Sequence, residues 1–235
     1  MSSPIITPVY NNSSCNIELS IVIPIYNEEK HIIKLKEGLA RYYETSKIKT
    51  EYILVLDGCT DHTSDAIKNA FNDFSAPYFV IEYSDNRGKG YAIRQGMKKA
   101  RGTYILMTDA DLAYPLGQAD KFVEFAKNGY KAVLPYRSKV RYKSPARNIL
   151  SYVYSQISRV ILGHPFKDTQ AEFKLFHKDM IFDIIDHLRI DRFGIDSEIL
   201  AHIVKMNIRF IEIEVECNWT LTSSINILKD SIRTS

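Results

Sequence analysis

The chain has 235 residues and a formal net charge of +3 at pH 7. That length carries one sizeable core. The near balance of charge, with basic residues spread out except between Lys131 and Arg159, argues against a nucleic-acid binder. Cys15, Cys59 and Cys217 lie far apart without metal-ligand spacing, which fits a reducing, cytoplasmic setting. No window is apolar enough to span a bilayer, and the first residues lack the pattern of a signal peptide, so a soluble or peripheral protein is expected.

Residues 1–18 are polar and rich in Asn, Ser and Pro, and read as a flexible N-terminal arm before a single domain over 19–235. Ser20 to Ile25 is the first buried strand, ending in Tyr26-Asn27-Glu28-Glu29, and the spacing of Ile32, Ile33, Leu35 and Leu39 predicts a helix to about Tyr43. Tyr52 to Leu56 is a second strand, broken by Asp57-Gly58-Cys59-Thr60-Asp61-His62-Thr63, with a helix to about Phe74 and a third strand over Tyr78–Glu82. Asn86-Arg87-Gly88-Lys89-Gly90 precedes a helical stretch, and Tyr104 to Leu112 is a strand ending in Asp109-Ala110-Asp111. A helix over Leu116–Lys127 and a fifth strand over Tyr130–Pro135 follow.

Beyond them lies a basic segment with Arg137, Lys139, Arg141, Lys143 and Arg147, interleaved with Tyr136 and Tyr142, and then an apolar, tyrosine-rich helix over Asn148–Leu162. Cations beside such a helix suit phosphates at a membrane surface, and equally suit a solvated loop before a core helix. The Asp168–Phe176 stretch, a helix near Lys178–His187, a helix opening at Phe193–Glu198, a strand over Arg209–Val215 and a final helix over Ser223–Arg233 complete the chain.

Alternation of strand and helix predicts a mostly parallel α/β sheet covered on both faces. Ligands then sit beyond the carboxyl ends of the strands, where Pro24 to Glu28, Asp57 to Thr63 and Asp109 to Asp111 fall together. Two carboxylates one residue apart can hold Mg²⁺ or Mn²⁺ while leaving coordination positions for phosphate oxygens. An isolated Asp-x-Asp also fits a loop whose acids cap the next helix. Gly88-Lys89-Gly90 matches neither common phosphate-loop pattern. It suits a close approach to a ligand, with Lys89 near a phosphate, or a tight helix start.

Taken together, these motifs resemble family 2 glycosyltransferases of the GT-A fold. Within that family they are most similar to the dolichyl-phosphate β-glucosyltransferases and, more distantly, to the dolichyl-phosphate mannose synthases. The resemblance spans about Leu19 to Arg233 and rests on Val22–Glu28, Asp57–Thr63, Asn86–Ala92, Asp109–Ala113, Asp168–Gln170, Phe173–Phe176 and Asp196–Glu198. It implies that Pro24, Tyr26 and Glu28 line the nucleotide site, that Asp57 faces the base and that Lys89 lies at the nucleotide edge. It also implies that Asp109 contacts the ribose or sugar beside the metal, that Asp111 holds the metal on the diphosphate, and that Asp168 and Gln170 form the sugar side. Arg137 and Arg147 match positions that meet phosphates of donor and lipid acceptor.

The implied reaction is inverting transfer from UDP-glucose, or alternatively GDP-mannose, to a polyprenyl phosphate by a peripheral enzyme on the cytosolic face of a membrane. A soluble-acceptor transferase using Asp168 as base and a non-catalytic nucleotide-sugar-binding module are the rivals. Several positions depart from the family pattern. Leu56-Asp57 replaces paired acids, Cys59 stands for Ser, Ala171-Glu172 stands for Cys-Gly, and Thr222–Ile225 replaces Gly-Ser-Lys. Ala113 stands where mannose synthases carry a metal-binding Gln, which favours glucose. The N-terminal membrane anchor of the eukaryotic glucosyltransferases is not expected.

Overall fold

A computed structural model describes residues 5–9, 16–137 and 166–217. Its centre is three parallel strands, β2 (Leu19–Ile25), β3 (Thr50–Asp57) and β5 (Tyr104–Thr108), buried throughout except at the half-buried Pro24. Because side chains alternate along a strand, each of these apolar runs feeds two cores. Ile21, Ile23 and Ile25 join Leu54, Leu56 and Leu106 on one face. Val22 joins Ile53, Val55, Ile105 and Met107 on the other.

Helices cover both faces. Leu35, Leu39 and Tyr42 of α1 (Ile32–Thr45), Ile67 of α2 (Thr63–Ala70) and Phe122 of α4 (Ala119–Lys127) pack on the first core. Ile93 and Met97 of α3 (Lys89–Lys99), Ile181 of α5 (Lys178–Ile184) and Ile199 of α6 (Ile195–Lys205) pack on the second. Among the described residues, no helix is long and apolar enough to cross a membrane.

With β1 (Ile5–Val9), β4 (Tyr78–Tyr83), β6 (Ala132–Tyr136), β7 (Phe173–His177) and β8 (Phe210–Glu214), the described strands form one sheet of order β1-β4-β3-β2-β5-β7-β6-β8. From β2 the chain runs outward through β3 and β4, then returns to place β5 on the other side of β2. The order reverses there, which opens a crevice beyond the carboxyl ends of β2 and β5.

The expected α/β sheet is present, with differences in detail. Strand β7 is antiparallel to both β5 and β6, and β1 is antiparallel to β4. Sequence patterning left Phe173–His177 without a secondary-structure type because a lysine interrupts the apolar run; Lys174 is fully buried all the same. Ile5–Val9, read from composition as part of a loose arm, pairs along the edge of β4, which asks only for extended backbone. Helix α2 stops at Ala70 rather than near Phe74 because the chain turns to pack Phe74 against Tyr52, Phe71 and Tyr78. Leu116–Gln118 is a 3-10 turn ahead of α4. Lys139, Arg141, Tyr142, Lys143, Arg147, the helix expected over 148–162, the loop 222–225 and the last helix lie outside the described residues.

Candidate active site

Strand β2 delivers Pro24 and then Tyr26, Asn27 and Glu28 to its carboxyl end. Asn27 takes a left-handed conformation, φ 55, and its side-chain oxygen accepts a hydrogen bond from the Thr60 amide at 2.8 Å. The Thr63 hydroxyl accepts from the Glu28 amide at 2.8 Å, so the loops after β2 and β3 are stitched together. Tyr26 is left 47 % exposed, free to meet a planar ligand. Asp61 accepts from the Thr63 amide and hydroxyl. Although burial pushes its carboxyl up, these bonds with that from Glu29 hold it below the ordinary value.

Asp57, expected to face a base, is buried, and both its oxygens are engaged. Oδ1 accepts from the Arg87 amide at 2.8 Å, and Oδ2 accepts from the Gly88 amide at 2.9 Å and the Asn86 side-chain amide at 3.0 Å. It therefore shapes the 86–88 loop. Gly58, φ 61, lies against the Asn86 backbone, where any Cβ would collide. The close approach made by the glycines around Lys89 is likewise internal: Gly88 and Gly90 abut the backbone of Ile190 to Arg192, and the Tyr91 amide donates to the Asp191 carbonyl at 3.0 Å. These glycines give α3 a tight start.

Strand β5 ends in Thr108, and the turn after it presents the two acids. Ala110 is buried, Asp111 is exposed and Asp109 lies between those extremes. The turn is held by the Leu112 amide donating to the Asp109 carbonyl, with Leu112 at φ 50, and by the Ala113 amide donating to Asp111 Oδ1 at 2.9 Å. Lys89 donates to Asp109 Oδ1 at 2.6 Å and pairs with Glu172 Oε1 at 2.5 Å. A small crevice is lined by Pro24, Lys89, Ile93, Met107, Thr108, Asp109 and Glu172. Thr108 is among the lining residues, and its buried hydroxyl has no hydrogen-bond partner among the described residues.

The fourth side of the site comes from the segment before β7. Arg137, just past β6, forks onto Asp168, with Nε 2.6 Å from Oδ2 and Nη2 2.9 Å from Oδ1. Burial raises the Asp168 carboxyl, but the Arg137 guanidinium, the Gln170 amide and Lys174 outweigh it and hold Asp168 below the ordinary carboxylate value. Burial pushes the Cys217 thiol up; the Arg137 charge opposes that push, and Asp111 and Asp168 add to it. Gln170 is exposed nearby in sequence, and Arg147 lies outside the described residues.

Sequence reasoning named Asp109, Asp111, Lys89, Arg137 and Asp168, and the structure joins Lys89 to Asp109 and Arg137 to Asp168. It assigned no role to Asn86, Thr108 or Lys174, and it saw Glu172 only as a departure from a family pattern. The signal for Lys174 was a cation inside an apolar strand, which demands a buried partner.

The donor set suits a hard divalent cation. Asp109 and Asp111 supply carboxylate oxygens at an accessible strand end. Among the described residues, no group of three or more His, Cys, Asp or Glu side chains gathers to hold a metal. Two carboxylates fill part of an octahedral oxygen shell and leave the rest for phosphate oxygens and water, as Mg²⁺ and Mn²⁺ prefer.

Known structures share the fold. A mannosyltransferase from Pyrobaculum calidifontis in complex with GDP-mannose and Mn²⁺ superposes with a TM-score of 0.62 at 19 % identity, over 89 % of this chain and 59 % of that one. The Mycobacterium tuberculosis glucosyl-3-phosphoglycerate synthase in complex with Mn²⁺ and UDP-glucose gives 0.61 at 12 % identity, over 91 % and 74 %. The fold is thus the GT-A fold of glycosyltransferases. Residues 20–185 match the model for glycosyl transferase family 2, and the chain belongs to that family. It is 30 % identical to the dolichyl-phosphate beta-glucosyltransferase of Dictyostelium discoideum over 93 % of this chain and 74 % of that protein. It is 32 % identical to the human protein of the same name, over 86 % and 67 %.

Proposed function

We propose that this glycosyltransferase moves glucose from UDP-glucose to a polyprenyl phosphate such as dolichyl phosphate, with inversion, at the cytosolic face of a membrane. The observation that carries the reading is the pair Asp109 and Asp111, presented at the end of β5 where the strand order reverses. Residues 19–235 act as one GT-A unit in this scheme. The named relatives supply the acceptor and sugar, and the fold-level neighbours supply the precedent of a divalent ion beside a nucleotide sugar.

A divalent cation bound there supplies Lewis-acid stabilisation of the charge that grows on the leaving diphosphate. The protein's own groups do the rest. Pro24, Tyr26 and Glu28 line the nucleotide, and Asp57 fixes the 86–88 loop against its edge. Lys89 balances charge beside Asp109, and Gln170 with Asp168 borders the sugar. Arg137, oriented by Asp168, and Arg147 hold the acceptor phosphate for attack from the face opposite the leaving group.

A phosphate monoester, with its second pKa near ~6, is already mostly dianionic at neutral pH and needs no base. The Arg137 fork speaks against Asp168 as base for a hydroxyl acceptor, since a carboxylate held below its ordinary pKa accepts a proton poorly at pH 7.

The test is a donor panel of UDP-glucose and GDP-mannose with Mg²⁺ or Mn²⁺, with and without polyprenyl phosphate, reading lipid-linked sugar. Glucose on the lipid is the expected product. Lipid-linked mannose, or sugar on a soluble glycan, would replace the reading with its alternatives. Asp111→Asn is expected to abolish metal-dependent turnover while leaving the melting temperature near wild type, because it removes charge at an exposed turn. Arg147→Ala is expected to raise KM for the lipid and spare donor binding; the reverse pattern would overturn the role given to Arg147.

A further inference from the structure

Strands β5 and β7 are antiparallel, and their register ends at Thr108 opposite Phe173. Asp109 and Glu172 are the next residues beyond that last pair, and both carboxylates bond the one Lys89 ammonium. Like charges held close together repel, and here the Lys89 ammonium relieves that repulsion, 2.6 Å from Asp109 Oδ1 and 2.5 Å from Glu172 Oε1. Its side chain is 12 % exposed, so the contact is shielded from solvent.

A cation bound by Asp109 and Asp111 would meet that ammonium at close range, and like charges in a partly buried site interact strongly. We propose that Glu172 is a positioning residue for this step: it holds Lys89 when Asp109 exchanges its ammonium for a divalent cation. Lys89 is bonded to both carboxylates, so tightening toward Glu172 frees Asp109 without stripping the ammonium of its partner. With a neutral side chain at 172, Lys89 keeps Asp109 as its sole partner in this trio and competes with the cation. No covalent step is involved, and three carboxylates against one ammonium keep the site net negative.

This inference rests on the proposed divalent site and deepens it. The experiment is an electron paramagnetic resonance titration of Mn²⁺ in the presence of UDP, with GDP in parallel, on the full chain. It compares wild type, Glu172→Gln, Lys89→Met and the double variant, each first checked for folding by circular dichroism; Lys89→Gln stands in should Lys89→Met fail to fold. Glu172→Gln is expected to weaken Mn²⁺ binding roughly 5–30-fold, the coupling typical of contacting residues.

In the Lys89→Met background, the same change is expected to matter by no more than about 2-fold, the range of independent sites. Wild-type affinity in Glu172→Gln, or an equal loss in both backgrounds, would overturn the role, the latter by making Glu172 act on the cation without Lys89. Failure of wild type to bind Mn²⁺ with either nucleotide would overturn the divalent site itself. Wild-type binding with an unaltered Glu172→Gln would overturn this inference alone.

Discussion

The side chains that settle the site's electrostatics are paired across long sequence distances. Arg137 and Asp168 are almost buried, and their fork ties the end of β6 to the segment before β7. In the folded chain Asp168 binds its proton more weakly than in the unfolded chain, so it adds stability above its ordinary value of 3.8 and loses that stability as pH falls through its lowered folded value. Asp168→Asn is therefore expected to destabilise the protein at pH 7 by about 3 kcal/mol, the low end for breaking a buried pair. The gap to wild type should close in acid below 3.8, read from urea unfolding across pH. A gap that stays constant with pH would mean the pair contributes no charge-dependent stability. Asp109 and Asp111 were legible because they end an apolar run. The Glu172 contact was not, since local spacing carries no information about strand register.

Among the elements, the loop after β3 shows how tightly backbone and site are joined. Gly58→Ala places a Cβ against the Asn86 backbone at a positive φ. It is expected to cost about 1–3 kcal/mol and to loosen the 86–88 loop, seen as a lower melting temperature together with weaker nucleotide binding. Unchanged binding in this variant would detach that loop from the site.

Strand β7 carries Lys174, whose ammonium donates to the Ala171 carbonyl at 2.6 Å and pairs with Asp196 at the start of α6. Lys174→Met strands a buried carboxylate and is expected to cost about 3–5 kcal/mol, whereas Lys174→Met with Asp196→Leu should recover much of that loss. Equal destabilisation of the single and double variants in thermal melts would count against the pairing. The parallel strands could be read from their continuous apolar runs. Strand β7 escaped because a buried ion pair looks, one residue at a time, like a solvent-facing lysine.

For the molecule as a whole, strand and helix alternation was enough to foresee a covered α/β sheet and the end at which ligands sit. It did not reveal the antiparallel β7, which brings Glu172 to the ammonium that Asp109 holds, because sheet order beyond the parallel half depends on contacts remote in sequence. The reversal of strand order beside β2 makes one crevice out of loops separated by more than eighty residues, from Pro24 to Asp109. The most direct measurement is a crystal structure of the chain with Mn²⁺ and UDP-glucose, with the metal located by its anomalous signal. The expected result is one Mn²⁺ bound by the Asp111 carboxylate, with Asp109 beside it and the diphosphate completing the shell. A metal and nucleotide bound elsewhere, or a diphosphate seated in the crevice with its Mn²⁺ away from both acids, would contradict the assignment.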